Sequence, residues 1–251
     1  MSTTEQARFA GKRIIVTGAG SGIGKATVVR LVAEGAHVIA TDIVEERLAA
    51  LAAELGAGVT TVAGDVADPR VIEDILTVAG SHIHGLANVA GIMDGFLPAA
   101  EIDDETWDRV IAVNVTAVMK LTRAVLPRMI EVGSGSIVNV SSEAGQRGSA
   151  AGTAYTTSKH AVNGFTKSTA FFYTPKGVRC NAVAPGAVAT NIEAPFRSAW
   201  AQERLGPLMQ TTIPPVAQPE QLAAAITWLL SDDSSNVSGI VLADDGGWAA
   251  V

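Results

Sequence analysis

A single cysteine, Cys180, stands among the 251 residues, which excludes an internal disulfide. Its setting, VRCNAV, is an apolar strand-like run, where a free thiol is ordinarily buried and inert. Aromatic residues make up only 5% of the chain, so packing must rest on smaller side chains that let helices lie close on a sheet. Positive charge is also scarce: 18 Lys and Arg stand against 25 Asp and Glu, for a net charge of −7. Nucleic acid and anionic membrane surfaces both call for clustered Lys and Arg, so neither is expected as a partner. The opening MSTTEQARFAGK lacks the apolar core of a secretory signal. No unbroken apolar stretch approaches the roughly 20 residues that a membrane span needs. A cytoplasmic protein is therefore expected. Two of the four histidines, His82 and His84, form an H-x-H pair without the nearby Cys or carboxylate pair that would complete a metal site, and no metal is expected. Repeats, low-complexity tracts and long linkers are absent as well, so residues 1–251 read as one domain.

Short β-branched runs alternate with longer helical ones. Strands are expected at Arg13–Thr17, His37–Thr41, Val59–Ala63, Leu86–Ala90, Ser136–Val140, Arg179–Val183 and Ile240–Ala243. Runs such as IIV and IVNV are apolar on consecutive residues, as in strands covered on both faces. Helices are expected over Ile23–Glu34, Glu45–Leu55, Pro69–Ala79, Thr106–Ile130, Ala154–Phe172 and Pro219–Leu230. This alternation predicts an α/β fold, a doubly wound and mostly parallel Rossmann-like sheet built from right-handed crossovers. One segment breaks the rhythm. Residues 186–215 form a long connection rich in proline that also carries Phe196, Trp200, Leu205, Leu208 and Met209. A connection of that length is usually functional or disordered, and its apolar residues favour a lid over a pocket.

After the first strand comes Thr17-Gly18-Ala19-Gly20-Ser21-Gly22-Ile23-Gly24, with glycines spaced G-x-x-x-G-x-G. Glycines there permit a tight strand-to-helix turn and bring backbone close to a pyrophosphate on the helix N-terminus. Gly18, Ser21, Gly22, Ile23 and Gly24 are the candidate cofactor contacts; the plainer alternative is a flexible loop. The second strand ends in Asp42, near the 20-residue offset at which dinucleotide folds place an acid for the adenosine ribose. A carboxylate there repels the 2′-phosphate of NADP, and no Arg or Lys stands at Ser21 or Ile43 to hold one. NAD is the expected cofactor, although Asp42 could instead cap the next helix. Asp65, followed by Val66, ends the third strand and could bond the adenine amino group or merely stabilise a turn.

Tyr155 and Lys159 stand at i and i+4 in AYTTSKHAV, on one helical face. Tyrosine is a poor base at neutral pH unless a nearby cation favours its phenolate, and an ammonium one turn away supplies one. Ser142 directly follows SIVNV, which puts its hydroxyl at the carboxyl edge where open α/β sheets bind ligands. Taken singly, these residues read as an aromatic packed beside a solvated lysine and a locally bonded loop hydroxyl.

Together, TGAGSGIG, NVAG at Asn88–Gly91, Asn114 in VNVTAV, IVNVSS and YTTSK resemble the short-chain dehydrogenase/reductase family, from Lys12 to Gly247. The resemblance implies catalytic roles for Asn114, Ser142 (rather than Ser141), Tyr155 and Lys159. Asn114 would hold a water in a proton relay, and Lys159 would also bond the nicotinamide ribose. Asn88, Ala90 and Gly91 match the segment that stabilises the central sheet beside the cofactor. Pro185, Gly186, Val188 and Thr190 match the grip on the nicotinamide carboxamide. Where the family usually has a second asparagine this chain has Val89, which implies altered hydrogen bonding in the sheet. Near Phe172 a carboxylate common in the family is missing. A homotetramer built through the long helices is also implied.

The expected activity is hydride transfer between NAD(H) and a secondary alcohol or ketone, with Tyr155 as acid/base. Met93, Phe96, Gln146, Trp200, Leu205 and Met209 are expected around this small-molecule substrate. Glu143 and Arg147 either line the pocket mouth or pair with each other at i and i+4. Two rival readings are an NADPH-dependent reductase of a carrier-bound or steroid-like ketone and a dinucleotide-binding sensor without turnover.

Overall fold

The computed structural model describes residues 7–192 and 194–250. The first six residues of the polar N-terminal stretch and Glu193 of the expected lid lie outside them. Seven strands, β1 (Arg13–Thr17), β2 (His37–Asp42), β3 (Val59–Ala63), β4 (Gly85–Asn88), β5 (Gly135–Val140), β6 (Val178–Pro185) and β7 (Val241–Asp244), form one sheet in the order 3-2-1-4-5-6-7. Every pairing is parallel. The fold is therefore the doubly wound α/β sheet of a single domain. Strand order reverses between β1 and β4, and the crevice beyond the carboxyl ends of these two strands is where such sheets bind ligands.

Adjacent residues of each central strand serve opposite cores, which explains the unbroken apolar runs. On one face Ile14, Val16, Val38 and Ala40 pack with Val28 and Leu31 of α1 (Gly22–Ala33), Leu48 and Leu51 of α2 (Glu45–Leu55), and the end of the chain's last α-helix. On the other, Ile15 and Ile39 pack with Ile72 and Ile75 of α3 (Pro69–Ala79). Cys180 belongs to this second core, and burial pushes its thiol up to about 12, an inert state. The helical run expected over Thr106–Ile130 spans Asp104–Val132 as α4 (Asp104–Ile111), a π-helical turn at Ala112–Ala117, and α5 (Val118–Val132). By length and composition this run could cross a bilayer, contrary to the expectation that nothing in the chain would qualify. Its Leu121, Val125, Leu126 and Met129 lie in the second core, so its apolar character is accounted for by packing under the sheet.

The remaining helices are α6 (Thr153–Tyr173), α7 (Ala199–Thr212) and α8 (Pro219–Leu230). The segment expected to be an irregular connection thus contains a 14-residue helix, α7. Pro207 inside it and a weak apolar stripe hide it from a periodicity reading. Four of the eight described α-helices start on a side-chain cap: Asp68 for α3, Asp103 for α4, Ser198 for α7 and a Gln218–Gln221 capping box for α8. The helices α1 and α6, which begin at the sheet's carboxyl edge, have no such cap from their N-cap residues Ser21 and Gly152.

Candidate active site

Two loops meet at the switch point, and the Thr17 hydroxyl holds them together by accepting the Val89 and Ala90 amides, each at 3.0 Å. Gly18 sits in the left-handed region (φ 64), 3.0 Å from the Ala90 backbone if it carried a Cβ. At Gly24 a Cβ would fall 2.0 Å from the Gly18 carbonyl oxygen, so only glycine lets α1 start this close to β1. With no side-chain cap, the first amides of α1 remain available to an anion.

A cleft of about 430 Å³ opens here. Gly18, Ser21, Gly22, Ile23, Gly24, Asp42, Asp65, Val66, Ala90, Gly91 and Thr190 all line it, as expected of a cofactor site. Thr190 stands over Gly22, where a Cβ would come within 2.9 Å of its methyl. The glycine cradle, the free helix terminus and an acid at the end of β2 together fit an adenine dinucleotide. Asp42 does not cap α2, whose N-cap residue is Val44; its carboxylate accepts the Gly20 amide at 2.9 Å and the Val44 amide at 3.0 Å, and it faces the cleft. Asp65 likewise holds the Ala67 amide at 2.9 Å while pairing with Arg109 at 2.7 Å.

Asn88, matched to the segment that stabilises the central sheet beside the cofactor, is not among the residues lining the cleft. Its side chain turns under the sheet, donating to Asn139 at 2.8 Å and Thr122 at 3.3 Å, while Asn139 donates to Thr166 at 2.9 Å. A buried amide needs partners, and this network supplies them where Val89 cannot. Pro185, Gly186 and Val188 are not among the lining of the cleft. They continue β6 at the same edge, with Gly186 bonded to Asp244 and Val188 bridged to Ala217.

Tyr155 and Lys159 project from α6, both buried, and Ser142 follows β5. Ser142 stands close enough to the Tyr155 hydroxyl to favour its ionised form, and its own hydroxyl accepts the Ala144 amide at 3.1 Å. Ser141 is turned away, toward the Lys159 carbonyl. Lys159 Nζ donates to the Val140 carbonyl at 2.9 Å and lies 5.4 Å from the Tyr155 ring centroid. Asn114 sits in the π-helical turn, a distortion common at functional sites. Its amide exchanges two bonds with the Ile92 backbone and donates to Ser158 at 3.1 Å. A Cβ on Gly91 would lie 3.4 Å from both Asn114 Oδ1 and Lys159 Nζ, so the four expected catalytic residues converge beside the cleft.

Burial raises Tyr155 to about 12, Ser142 lowers it, and the charge of Asp94 raises it further. The expectation that Lys159 would draw the phenol down is not realised in this arrangement, since its ammonium is spent on Val140 rather than on the phenol oxygen. Burial brings Lys159 itself down to about 8.

The residues expected around the substrate divide. Met93 and Met209 pack with Tyr155 in a small apolar cluster that also holds Ala144, Ala150 and Trp248. Phe96, Trp200 and Leu205 instead line a separate hollow of about 320 Å³, with Phe96 stacked on Phe196 at 4.2 Å. Gln146 is exposed. Glu143 and Arg147 pair with each other, and the guanidinium lies over Trp248, 5.2 Å from its ring centroid. His84 accepts the Arg13 amide at 3.0 Å, and its neighbour His82 bonds Ser81. Arg47 and Arg109, both lining the cleft, and Trp248 escaped the sequence reading. Arg47 lies five residues past Asp42 in the first turn of α2, a spacing that could have flagged it.

The family model described as short chain dehydrogenase matches residues 12–200. The chain is 40% identical to the short-chain dehydrogenase/reductase cdmF of Talaromyces verruculosus, over 95% of this chain and 97% of that one. It is 39% identical to 3beta-hydroxysteroid dehydrogenase 2 of Eggerthella lenta, over 96% of each. Among solved structures it superposes on levodione reductase with a TM-score of 0.88 at 33% identity, covering 97% and 99% of the two chains. A Beutenbergia cavernae protein, described as a candidate NAD(P) dependent gluconate 5-dehydrogenase with bound NADP, gives 0.84 at 35% identity, over 96% and 98%.

Proposed function

Because the chain belongs to the short-chain dehydrogenase/reductase family and is an oxidoreductase, we propose that it moves a hydride between NAD(H) and the carbinol or carbonyl carbon of a small alcohol or ketone, with Tyr155 as acid/base. The observation that carries this reading is the convergence of Ser142, after β5, and Tyr155 at the sheet's carboxyl edge, one helical turn from Lys159. NAD(H), when bound, supplies or accepts the hydride. The amides at the start of α1 would hold its pyrophosphate and Asp42 its adenosine ribose. Lys159 would hold the nicotinamide ribose, and the Pro185–Thr190 stretch the carboxamide.

In the reducing direction the Tyr155 phenol, protonated at neutral pH, gives its proton to the carbonyl oxygen as the new C–H bond forms. Ser142 donates a hydrogen bond to that oxygen and holds it in place. In the oxidising direction the phenolate takes the alcohol proton while the carbinol C–H bond breaks and C=O forms. The Ser142 interaction favours that phenolate. Asn114, fixed against Ile92, would hold a water that returns protons to Lys159.

Asp42 supports NAD. Arg47 beside it, and the NADP-bound relative, support a second reading in which NADP(H) is also taken. Exposed Phe171 and Phe172 at the end of α6 support assembly of copies through the long helices. Steady-state assays over a panel of secondary alcohols and ketones test the chemistry. Tyr155→Phe should lose nearly all turnover while binding NAD normally; unchanged function in that variant would return the chain to the sensor reading. Titration with NAD and NADP tests the cofactor, and tighter NADP binding would sink the argument from Asp42.

A further inference from the structure

The helix that carries Tyr155 and Lys159 begins at Gly152, a residue with no side chain to offer its orphan amides. Those amides are met from elsewhere. The Thr153 N–H donates to the Leu97 carbonyl at 2.9 Å, and the Tyr155 N–H donates to Asp94 Oδ2 at 2.9 Å, across 61 positions of sequence. Asp94 is 1% exposed, and its other oxygen accepts the Phe96 amide at 3.0 Å. That second bond holds a turn in which Gly95 and Phe96 both have positive φ, +68 and +57. Phe96 is the only non-glycine residue among those described with positive φ, a backbone state that a bulky side chain adopts only when its surroundings impose it. A Cβ on Gly152 would fall 2.5 Å from Asp94 Oδ2 and 2.5 Å from the Leu97 nitrogen. The space in front of α6 is thus filled by a carboxylate borrowed from the segment after β4.

We propose that Asp94 is a positioning residue for the reaction: as the borrowed cap of α6, it fixes the first helical turn and thereby sets where the Tyr155 hydroxyl stands against Ser142. The proposal rests on the reading of Tyr155 as acid/base. A carboxylate at a helix N-terminus is favoured both by the amides and by the helix dipole. Tyr155 occupies the third position of the helix, so any fraying of the first turn displaces its hydroxyl directly. The same short segment also exchanges two bonds between Ile92 and Asn114, and accepts the Arg197 amide on the Gly95 carbonyl at 2.9 Å. One loop therefore sets the tyrosine, the asparagine and the entry to α7 relative to one another.

The charge of Asp94 has a second effect. The charged groups around the phenol are Lys159 on its own helix, Asp94 after β4 and the Glu143–Arg147 pair after β5. That pair is neutral as a unit and the Lys159 ammonium is bonded to Val140, which leaves Asp94 as the charge opposing the phenolate.

The test uses the full chain with Asp94→Asn, which is isosteric, and Gly152→Ala, which pushes the carboxylate off the helix without removing it. Tyr155→Phe is the control for the underlying reading. Amide hydrogen exchange over residues 153–156, which needs no substrate, should quicken about tenfold or more in both variants. With the secondary alcohol of the panel that is turned over best, kcat should fall about 10- to 100-fold, with the dissociation constant for NAD unchanged within about twofold. The rising limb of the kcat profile, where the phenol ionises, should move to lower pH in Asp94→Asn only, because Gly152→Ala keeps the charge. Unchanged exchange in the first turn overturns the proposal, whatever the activity. So does a loss in which kcat and NAD affinity fall together with protection throughout the chain, since that marks a merely structural role. A Tyr155→Phe variant that keeps its turnover would overturn the acid/base reading alone, and the exchange data would still decide whether Asp94 caps α6.

Discussion

Lys159 carries an ammonium into the interior, and replacing it with methionine separates what that charge costs the fold from what it does for chemistry. The side chain is 3% exposed, and burial lowers it from 10.5 to about 8. The difference corresponds to about 3 kcal/mol, at about 1.4 kcal/mol per tenfold change in proton affinity. The folded state holds this proton more weakly than the unfolded chain does. Below about pH 8 both states are charged and the full cost is present; above about 10.5 both are neutral and the cost is gone. Stability from this group therefore rises with pH across that window. Methionine keeps an unbranched apolar stem of similar length and loses the Val140 bond at 2.9 Å. Lys159→Met should accordingly be inactive, yet it should gain about 3 kcal/mol relative to wild type on going from about pH 10.5 down to pH 7. Urea unfolding of both proteins at several pH values measures this, and taking the difference cancels every other titrating group. A stability difference that stays flat between pH 7 and 10.5 would refute the reasoning, because it would mean that the lysine carries no burial cost in the fold.

Asp42→Ala removes the acceptor for the Gly20 and Val44 amides as well as the negative charge in the cleft, while Arg47 stays. NAD affinity should fall about tenfold or more, and the ratio of NADP to NAD affinity should rise by at least as much; a ratio that does not move in paired titrations would show that Asp42 does not select the cofactor. Trp248 is buried beside Tyr155 and Met209 and donates to Thr212 at 3.1 Å. Trp248→Ala should lower stability by about 3 kcal/mol and raise KM for the bulkier alcohols more than kcat changes; a uniform effect on small and large substrates would remove Trp248 from the pocket wall.

What could be read from the sequence was whatever depends on residues close together in it. The two-faced cores explain why IIV and IVNV announced covered strands, and a helix such as α3 opened at Pro69, where it was expected. The glycine turn and the Tyr155–Lys159 pair were legible for the same reason, since one strand end or one helical turn contains each of them. Contacts that cross between elements left no such trace. Asp94 looks like any loop aspartate until the fold brings it to the start of α6, 61 positions away. Asn88 carries the sequence pattern of a cofactor segment, yet the demand of a buried amide for partners turns its side chain under the sheet to Asn139. The helix α7 hides because neither face of it is continuously apolar, and Trp200 on its first turn is 56% exposed. The apolar side chains of residues 186–215 therefore do not all turn toward Tyr155: Met209 does, from the last turn of α7, while Trp200 and Leu205 face the outer hollow. A further neighbour of Tyr155 comes from the far end of the chain, where Asp245 accepts the Gly247 and Ala249 amides at 2.9 Å and 2.8 Å and so places Trp248 against Tyr155. This C-terminal turn and α7 are joined directly by the Trp248–Thr212 bond.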